Sequence, residues 1–249
     1  MTLQQFFAEN KNVAVAFSGG VDSAYLLYAA KESGANIRAY YVKTPFQPQF
    51  EYEDALTLAE QLDVPMTTVV LDILSDSQVA ANPQTRCYYC KRRLFTAMLD
   101  AARADGFSLM IDGTNASDDA SDRPGMAALG ELGVRSPLRE CGLTKDEIRR
   151  LSRDAGLFTH DKPAYACLAT RIPTGTPITP ESLSRTERCE GFLRELGFSD
   201  FRIRLMGDAA RLQIHEEQLP LLLSHREVIL SQLKKDYSAV LLDMEVRHA

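Results

Sequence analysis

The string Ser18-Gly19-Gly20-Val21-Asp22-Ser23 has the residue types and order of an anion-binding loop. Two consecutive glycines let the backbone turn tightly and bring amide groups close to an anion. Ser18 and Ser23 add hydroxyl donors, and a helix opening at Val21 would add the partial positive charge of its N-terminus. The ligand this suits is the pyrophosphate of a nucleotide such as ATP. An aspartate among phosphates makes sense where it orients the loop or helps hold Mg²⁺, which is the role expected of Asp22. No Gly-Lys-Ser/Thr follows, so the loop is not the Walker pattern. Nor is it the Gly-x-Gly-x-x-Gly dinucleotide fingerprint. A second polar patch, Asp112-Gly113-Thr114-Asn115, offers Gly113 for close backbone approach and Thr114 and Asn115 for contacts to ATP or an adenylated substrate.

The cysteines form the next set. Cys87 and Cys90 make a Cys-x-x-Cys pair expected just before a helix, where the helix N-terminus and Arg86, Lys91, Arg92 and Arg93 favour thiolate. The spacing suits a metal, a cluster or a redox dithiol. A tetrahedral zinc site wants four ligands, and there is no second close pair. Cys167 lies in the string Lys162-Pro163-Ala164-Tyr165-Ala166-Cys167-Leu168-Ala169-Thr170-Arg171. Three thiolates from Cys87, Cys90 and Cys167 would hold a 4Fe–4S cluster and leave one iron open. Arg171 is the expected charge neighbour of the Cys167 sulfur. Cys189 falls within a helical segment and reads as a bystander, and nothing beyond residue type supports Cys141. Arg202 and Arg204, two apart on an expected strand, share a face and could grip a phosphate. His160, His215, His225 and His248 match no catalytic arrangement.

These residues need a scaffold, and the chain supplies an alternating one. Short apolar runs at residues 13–17, 37–42, 66–71 and 108–112 read as buried parallel strands. Helical segments at 21–33, 51–62, 91–103 and 144–155 fall between or after them, the last opening with the capping-box pattern Thr144-Lys145-Asp146-Glu147. The segment around Val134 is a candidate fifth strand. Such alternation predicts an α/β fold, a parallel sheet with helices on both faces. After about Leu157 the character changes to a proline-rich stretch with little periodicity. Beyond it come a helix at 180–196, strands near 201–205 and 211–214, helix to 233 and a last strand at 239–243. The expected organisation is a nucleotide-binding domain over residues 1–157, a cysteine-bearing functional loop over 158–179, and a small C-terminal α/β domain over 180–249 serving substrate binding or oligomerisation.

The 249 residues are 45% hydrophobic and 25% charged, ordinary for a soluble globular protein. The formal net charge of −6 argues against a long nucleic-acid groove, and no stretch reaches the length of a membrane span. The first residues lack a secretory pattern, so a cytoplasmic protein with reduced thiols is expected. A small-molecule nucleotide substrate and a homo-oligomeric state are separate expectations.

Placed after a first strand, Ser-Gly-Gly-Val-Asp-Ser resembles the loop of the PP-loop ATP pyrophosphatases, a superfamily of adenylating synthetases and tRNA-thiolating enzymes. The resemblance implies cleavage of ATP between the α and β phosphates, with AMP and pyrophosphate as products. The string from Ala166-Cys167-Leu168-Ala169-Thr170-Arg171 to Thr179 is further similar to the LarE sulfur transferases, which build the nickel-pincer cofactor of lactate racemase. Asp112-Gly113-Thr114-Asn115, Arg123-Pro124-Gly125, Arg135-Ser136-Pro137-Leu138 and Leu143-Thr144-Lys145-Asp146-Glu147-Ile148-Arg149 extend the similarity over most of the chain. It implies adenylation of a carboxylate on a pyridinium dicarboxylate mononucleotide, then replacement of AMP by sulfur to give a thiocarboxylate. One branch of that family sacrifices the sulfur of a single cysteine matching Cys167, leaving dehydroalanine. Another adds two cysteines and resembles cluster-dependent enzymes, and Cys87 and Cys90 align the sequence with it. The resemblance also assigns catalysis to Cys167 and the substrate phosphate to Arg202, Arg204 and Glu190, and Asp22 and Arg171 join Cys167 as catalytic candidates on the residue reading above. The rival readings are a cluster-dependent tRNA thiolase, an ammonia-using amide synthetase, and a nucleotide-binding sulfur carrier without turnover.

Overall fold

The computed structural model describes residues 1–118 and 124–247, so Arg123 and His248 lie outside the described residues. The chain divides into two compact units. The first takes Met1–Ile73 and Thr85–Lys162, the second Leu74–Gln84 and Pro163–Ala249.

In the first unit, β1 (Asn12–Ala16), β2 (Asn36–Lys43), β3 (Met66–Val70) and β4 (Leu109–Ile111) form a parallel sheet in the order β3-β2-β1-β4. Alternation along β1 sends Val13 and Val15 to one face and Ala14 to the other. The first face is covered by α1 (Leu3–Glu9), α2 (Val21–Glu32), α3 (Gln49–Gln61), α7 (Pro137–Glu140) and α8 (Lys145–Asp154), which bring Phe6, Phe7, Leu26, Leu27, Leu58, Leu138 and Ile148 to its core. The second is covered by α5 (Arg86–Ala104) and α6 (Pro124–Glu131), through Phe95, Met98, Leu99 and Leu129. Each such large apolar side chain contributes roughly 1.5–3 kcal/mol on burial. Helices therefore cover both faces of a parallel sheet, as the alternation of elements implies.

Two expectations change. The segment around Val134 adds no strand, only an isolated parallel bridge between Ile111 and Arg135. Helix α5 begins at Arg86 rather than Lys91, and its first turn holds Cys87, Tyr88, Tyr89 and Cys90, of which none is in the buried set that resumes at Phe95. Cys87 and Cys90 thus sit inside the helix, not before it.

In the second unit, α9 (Pro180–Glu195) packs on β5 (Arg202–Met206), which pairs antiparallel with β6 (Ala209–Gln213); β7 (Val240–Leu242) runs parallel to β6. The helices α4 (Ser77–Ala80), α10 (Leu219–Ser224) and α11 (Arg226–Leu233) complete it. Among the described residues, no helix is long and apolar enough to cross a membrane.

Candidate functional site

Parallel pairing of β1 with β4 brings their carboxyl ends side by side, where open α/β sheets bind ligands. Residues 18–23 leave β1 there and residues 112–115 leave β4. Gly19 takes a φ of +74°, and a Cβ on it would come within 3.1 Å of Ala55 on α3, so glycine is needed for conformation and for space. Gly20 caps α2 in an extended conformation and Val21 begins the helix, buried. The two hydroxyls knit the turn: Ser18 N donates to Ser23 Oγ at 3.2 Å, the Oγ atoms are 3.0 Å apart, and Ser23 Oγ donates to the Gly20 carbonyl at 3.1 Å.

The 112–115 segment touches this turn directly. A Cβ on Gly113 would sit 2.8 Å from the backbone nitrogen of Ser23, so only glycine permits the approach. Asn115, 2% exposed, donates from Nδ2 to Asp22 Oδ1 at 3.2 Å and accepts the Ser117 amide. The Thr114 hydroxyl turns away and donates to buried Asp112 at 2.6 Å, as does Ser136 from the other side.

Two lysines complete the first site, and neither was assigned a role by its spacing. Lys145, at the start of α8, pairs through Nζ with Asp22 Oδ2. Lys162 is held by Glu51 at 3.1 Å and Asp54 at 2.7 Å, and donates to the Gly19 carbonyl at 3.4 Å. Arg149 secures the chain around it by donating to the carbonyls of His160 and Lys162. Lysines reaching a loop from more than a hundred residues away leave no local pattern, so only the fold shows them.

Cys167, Arg171, Glu190, Arg202 and Arg204 belong to the second unit. Cys167 is half-buried and caps a 3₁₀ turn, Leu168–Arg171, its carbonyl accepting from the amide and hydroxyl of Thr170. Arg171 is fully buried against Glu190, with Nε to Oε1 at 2.8 Å and Nη2 to Oε2 at 3.0 Å. Its Nη1 donates to the carbonyl of Ala166 at 2.8 Å and to the Thr170 hydroxyl at 2.9 Å, so the guanidinium shapes the backbone around Cys167. Burial alone would lower the Arg171 pKa, but the bond and charge of Glu190 outweigh it and raise it. Glu190, expected on a substrate phosphate, also accepts from the Tyr165 hydroxyl and the Ile203 amide; its oxygens are engaged within the unit. Burial and then the Glu190 charge push the Tyr165 hydroxyl well above its ordinary range.

Arg202 and Arg204 do share a face, and both reach the Cys167 segment. Arg202 donates to the Ala164 carbonyl at 2.6 Å and Arg204 to the Thr170 carbonyl at 2.7 Å. Their pKa values are depressed, first by burial and then by Arg171 nearby. Arg202 is also paired with Asp200 at 3.2 Å.

The expected 4Fe–4S cluster on Cys87, Cys90 and Cys167 is overturned. Among the described residues, no three His, Cys, Asp or Glu side chains are gathered to hold a metal. Two thiols one turn apart on α5 fall short of the three or four that such a cluster takes. Beside Cys87 stands a cation, Arg86 Nη2 at 3.8 Å from the sulfur. The three-cysteine, iron–sulfur assignment falls with the cluster. Cys189 is buried, and its pKa is pushed up to about 12 by burial and Asp236.

Comparison with known proteins adds to this geometry. A family model described as the tRNA methyl transferase HUP domain matches residues 11–81. An uncharacterized protein of Synechocystis sp. is 38% identical over 218 residues, 87% of this chain and 81% of its own. The pyridinium-3,5-bisthiocarboxylic acid mononucleotide synthase of Lactiplantibacillus plantarum is 32% identical over 220 residues, 88% of this chain and 80% of its own. A tRNA-specific 2-thiouridylase of Clostridium botulinum is 29% identical over 182 residues, 60% of this chain and 52% of its own.

Proposed function

The chain belongs to the LarE-like family of PP-loop ATP-dependent sulfur transferases, and from that premise we propose that its substrate is a pyridinium dicarboxylate mononucleotide. The product is a thiocarboxylate destined for the nickel-pincer cofactor of lactate racemase. The observation that carries this reading is the similarity, over most of both chains, to a synthase named for that bisthiocarboxylic product.

MgATP docks on Ser18 to Ser23, Mg²⁺ entering as part of the substrate. The loop suits such a complex because the phosphates themselves supply most Mg²⁺ ligands, with few carboxylates from the protein. A substrate carboxylate oxygen attacks the α-phosphorus, the bond to the bridging oxygen breaks, and pyrophosphate leaves. Amides of the loop and the α2 N-terminus disperse the charge on that leaving group. The acyl-adenylate then has the electrophilic carbonyl that a free carboxylate lacks. With the cluster gone from the account, the sulfur comes from Cys167. Its thiolate adds to the carbonyl and expels AMP, giving a thioester. Removal of the Cys167 Cα proton and cleavage of its Cβ–Sγ bond then release the thiocarboxylate and leave dehydroalanine. Arg202 and Arg204 serve the substrate phosphate, a role that the shared face and crowded cations support.

Mass spectrometry of the Cys167 peptide after turnover tests the route. Loss of the elements of H₂S, one per thiocarboxylate formed, is the expected result; intact Cys167 after several turnovers refutes it. Pyrophosphate release that does not depend on the pyridinium substrate refutes the substrate assignment.

Thiolation of a tRNA is the second reading, favoured by the HUP-domain match and the 2-thiouridylases. Those relatives share about half their length with this chain, whereas the synthase shares most of its own. Copurifying tRNA and loss of a thiolated nucleoside on deletion would support it.

A further inference from the structure

Arg202 and Arg204 carry long side chains, which bind a phosphate best when the protein has already fixed them. Backbone carbonyls fix one end of each guanidinium, Ala164 for Arg202 and Thr170 for Arg204. The rest of the hold traces to the segment that follows β7. Its backbone runs on beside β6: the Asp243 amide donates to the Leu212 carbonyl at 2.8 Å and the Arg247 amide to the Ile214 carbonyl at 3.0 Å.

One hold reaches Arg204 through Gln213. Asp243 Oδ2 accepts from Gln213 Nε2 at 2.7 Å. A carboxylate only accepts, so that bond fixes which way the Gln213 amide faces and leaves its oxygen to receive Arg204 Nε. Asp243 also lies 3.4 Å from Arg211, which sits directly opposite Arg204 on β6 and would otherwise repel it. The Glu245 amide in turn donates to Asp243 Oδ1 at 3.2 Å. The Gln213 bond, more than any other contact, holds the Asp243 carboxyl below its usual range.

The other hold reaches Arg202 through Asp200, whose φ of +41° is left-handed and lies just before β5. Arg247 grips Asp200 at two points, Nε to the carbonyl and Nη2 to Oδ1, both at 2.8 Å. His215 Nε2 lies 2.9 Å from Oδ2. The carboxylate so fixed accepts from Arg202 Nη1 at 3.2 Å.

We propose that residues 243–247 form a strap that positions the substrate-phosphate arginines, Asp243 acting through Gln213 on Arg204 and Arg247 acting through Asp200 on Arg202. The proposal rests on the phosphate role of Arg202 and Arg204 given above and deepens it. Asp243 and Arg247 are positioning residues, and neither needs to touch the substrate.

The test uses calorimetry on the full chain in the absence of ATP. It reads Kd for the pyridinium dicarboxylate mononucleotide and for the same nucleoside without its phosphate. The ratio of the two is independent of the fraction folded. Arg202→Met and Arg204→Met each lose a charge-assisted bond and should lower the preference for the mononucleotide by about 10- to 100-fold. Arg247→Met and Asp243→Asn should lower it by about 3- to 10-fold, because the arginines stay but are no longer aimed. Arg247→Lys should recover part of that loss. Arg247→Met added to Arg202→Met should have no further effect, nor should Asp243→Asn added to Arg204→Met, because each acts only through its arginine. Additive losses in either pair, or an unchanged preference in Arg247→Met or Asp243→Asn, overturn the strap and leave the phosphate role standing. An unchanged preference in both Arg202→Met and Arg204→Met overturns that role, and the strap with it.

Discussion

Replacing Glu190 by Gln removes one negative charge and almost no volume from the second unit. Arg171 and Glu190 have side chains 0% and 1% exposed, so water cannot compensate for the change. The glutamate accepts from Arg171 twice, from Tyr165 at 2.5 Å and from the Ile203 amide at 2.9 Å. A glutamine keeps one acceptor oxygen and turns its NH₂ towards a donor, whichever way it flips. Arg171 is then a buried cation without a counter-charge. Breaking such a pair from one side costs about 3–5 kcal/mol, whereas replacing both partners by apolar groups is often neutral. At about 2–4 °C per kcal/mol for a chain of this size, Glu190→Gln should melt roughly 6–20 °C below wild type. Circular dichroism melts would read this, and with two compact units only the transition of the second should move. Arg171→Met combined with Glu190→Leu should recover much of the loss. The single variant has a second signature: without its partner, Arg171 no longer fixes the Ala166 carbonyl and Thr170, so iodoacetamide should modify Cys167 faster. A Glu190→Gln protein that melts within about 2 °C of wild type would refute this account of the pair.

The remaining predictions concern a glycine and a thiol. Gly113→Ala should cost about 1–3 kcal/mol and weaken MgATP binding, because its Cβ meets the Ser23 backbone rather than a flexible side chain. Gly130→Ala, in α6 with open space around it, is the control and should be neutral or stabilising in a urea titration. The fold holds Cys189 as a neutral thiol, its pKa raised from 9.0 to about 12. That contribution is fully present below about pH 9 and is lost as pH climbs from there towards about 12, since only the unfolded chain ionises it readily. Urea midpoints should therefore fall over that window, and less in Cys189→Ala.

The parallel sheet was legible because four apolar runs alternate with amphipathic segments, and the loop between the first pair carries its own chemistry. Helix α8 was legible from Thr144 and Glu147, whose capping box is formed as the pattern implies. Helix α5 was read too short because its first turn, with Cys87, Tyr88, Tyr89 and Cys90, lies ahead of the buried stripe that begins at Phe95, and that error placed Cys87 and Cys90 outside it. Residue type alone gathered three cysteines into a cluster that the fold does not build. Arg171 stood out in the sequence as a charge beside Cys167, but not its partner: a pairing with Glu190 on α9 depends on tertiary packing, which leaves no trace in local spacing. The same holds for Lys145 and Asp22, 123 positions apart.

The division of the chain has a consequence for the order in which a growing polypeptide can fold. Residues 74–84 precede α5, yet they belong with the unit whose remaining residues begin at Pro163. Buried Asn82 spans the gap: its amide nitrogen donates to the carbonyls of Ile172, Pro173 and Thr176, and its own carbonyl accepts from Gly175. On the ribosome, the four strands of the parallel sheet emerge while those partners are still unsynthesised. The excursion must wait, solvated, for about ninety further residues before it can dock. Anyone truncating the chain after Lys162 to obtain the nucleotide-binding half would freeze that waiting state. A shorter linker in place of residues 74–84 is the more rational excision.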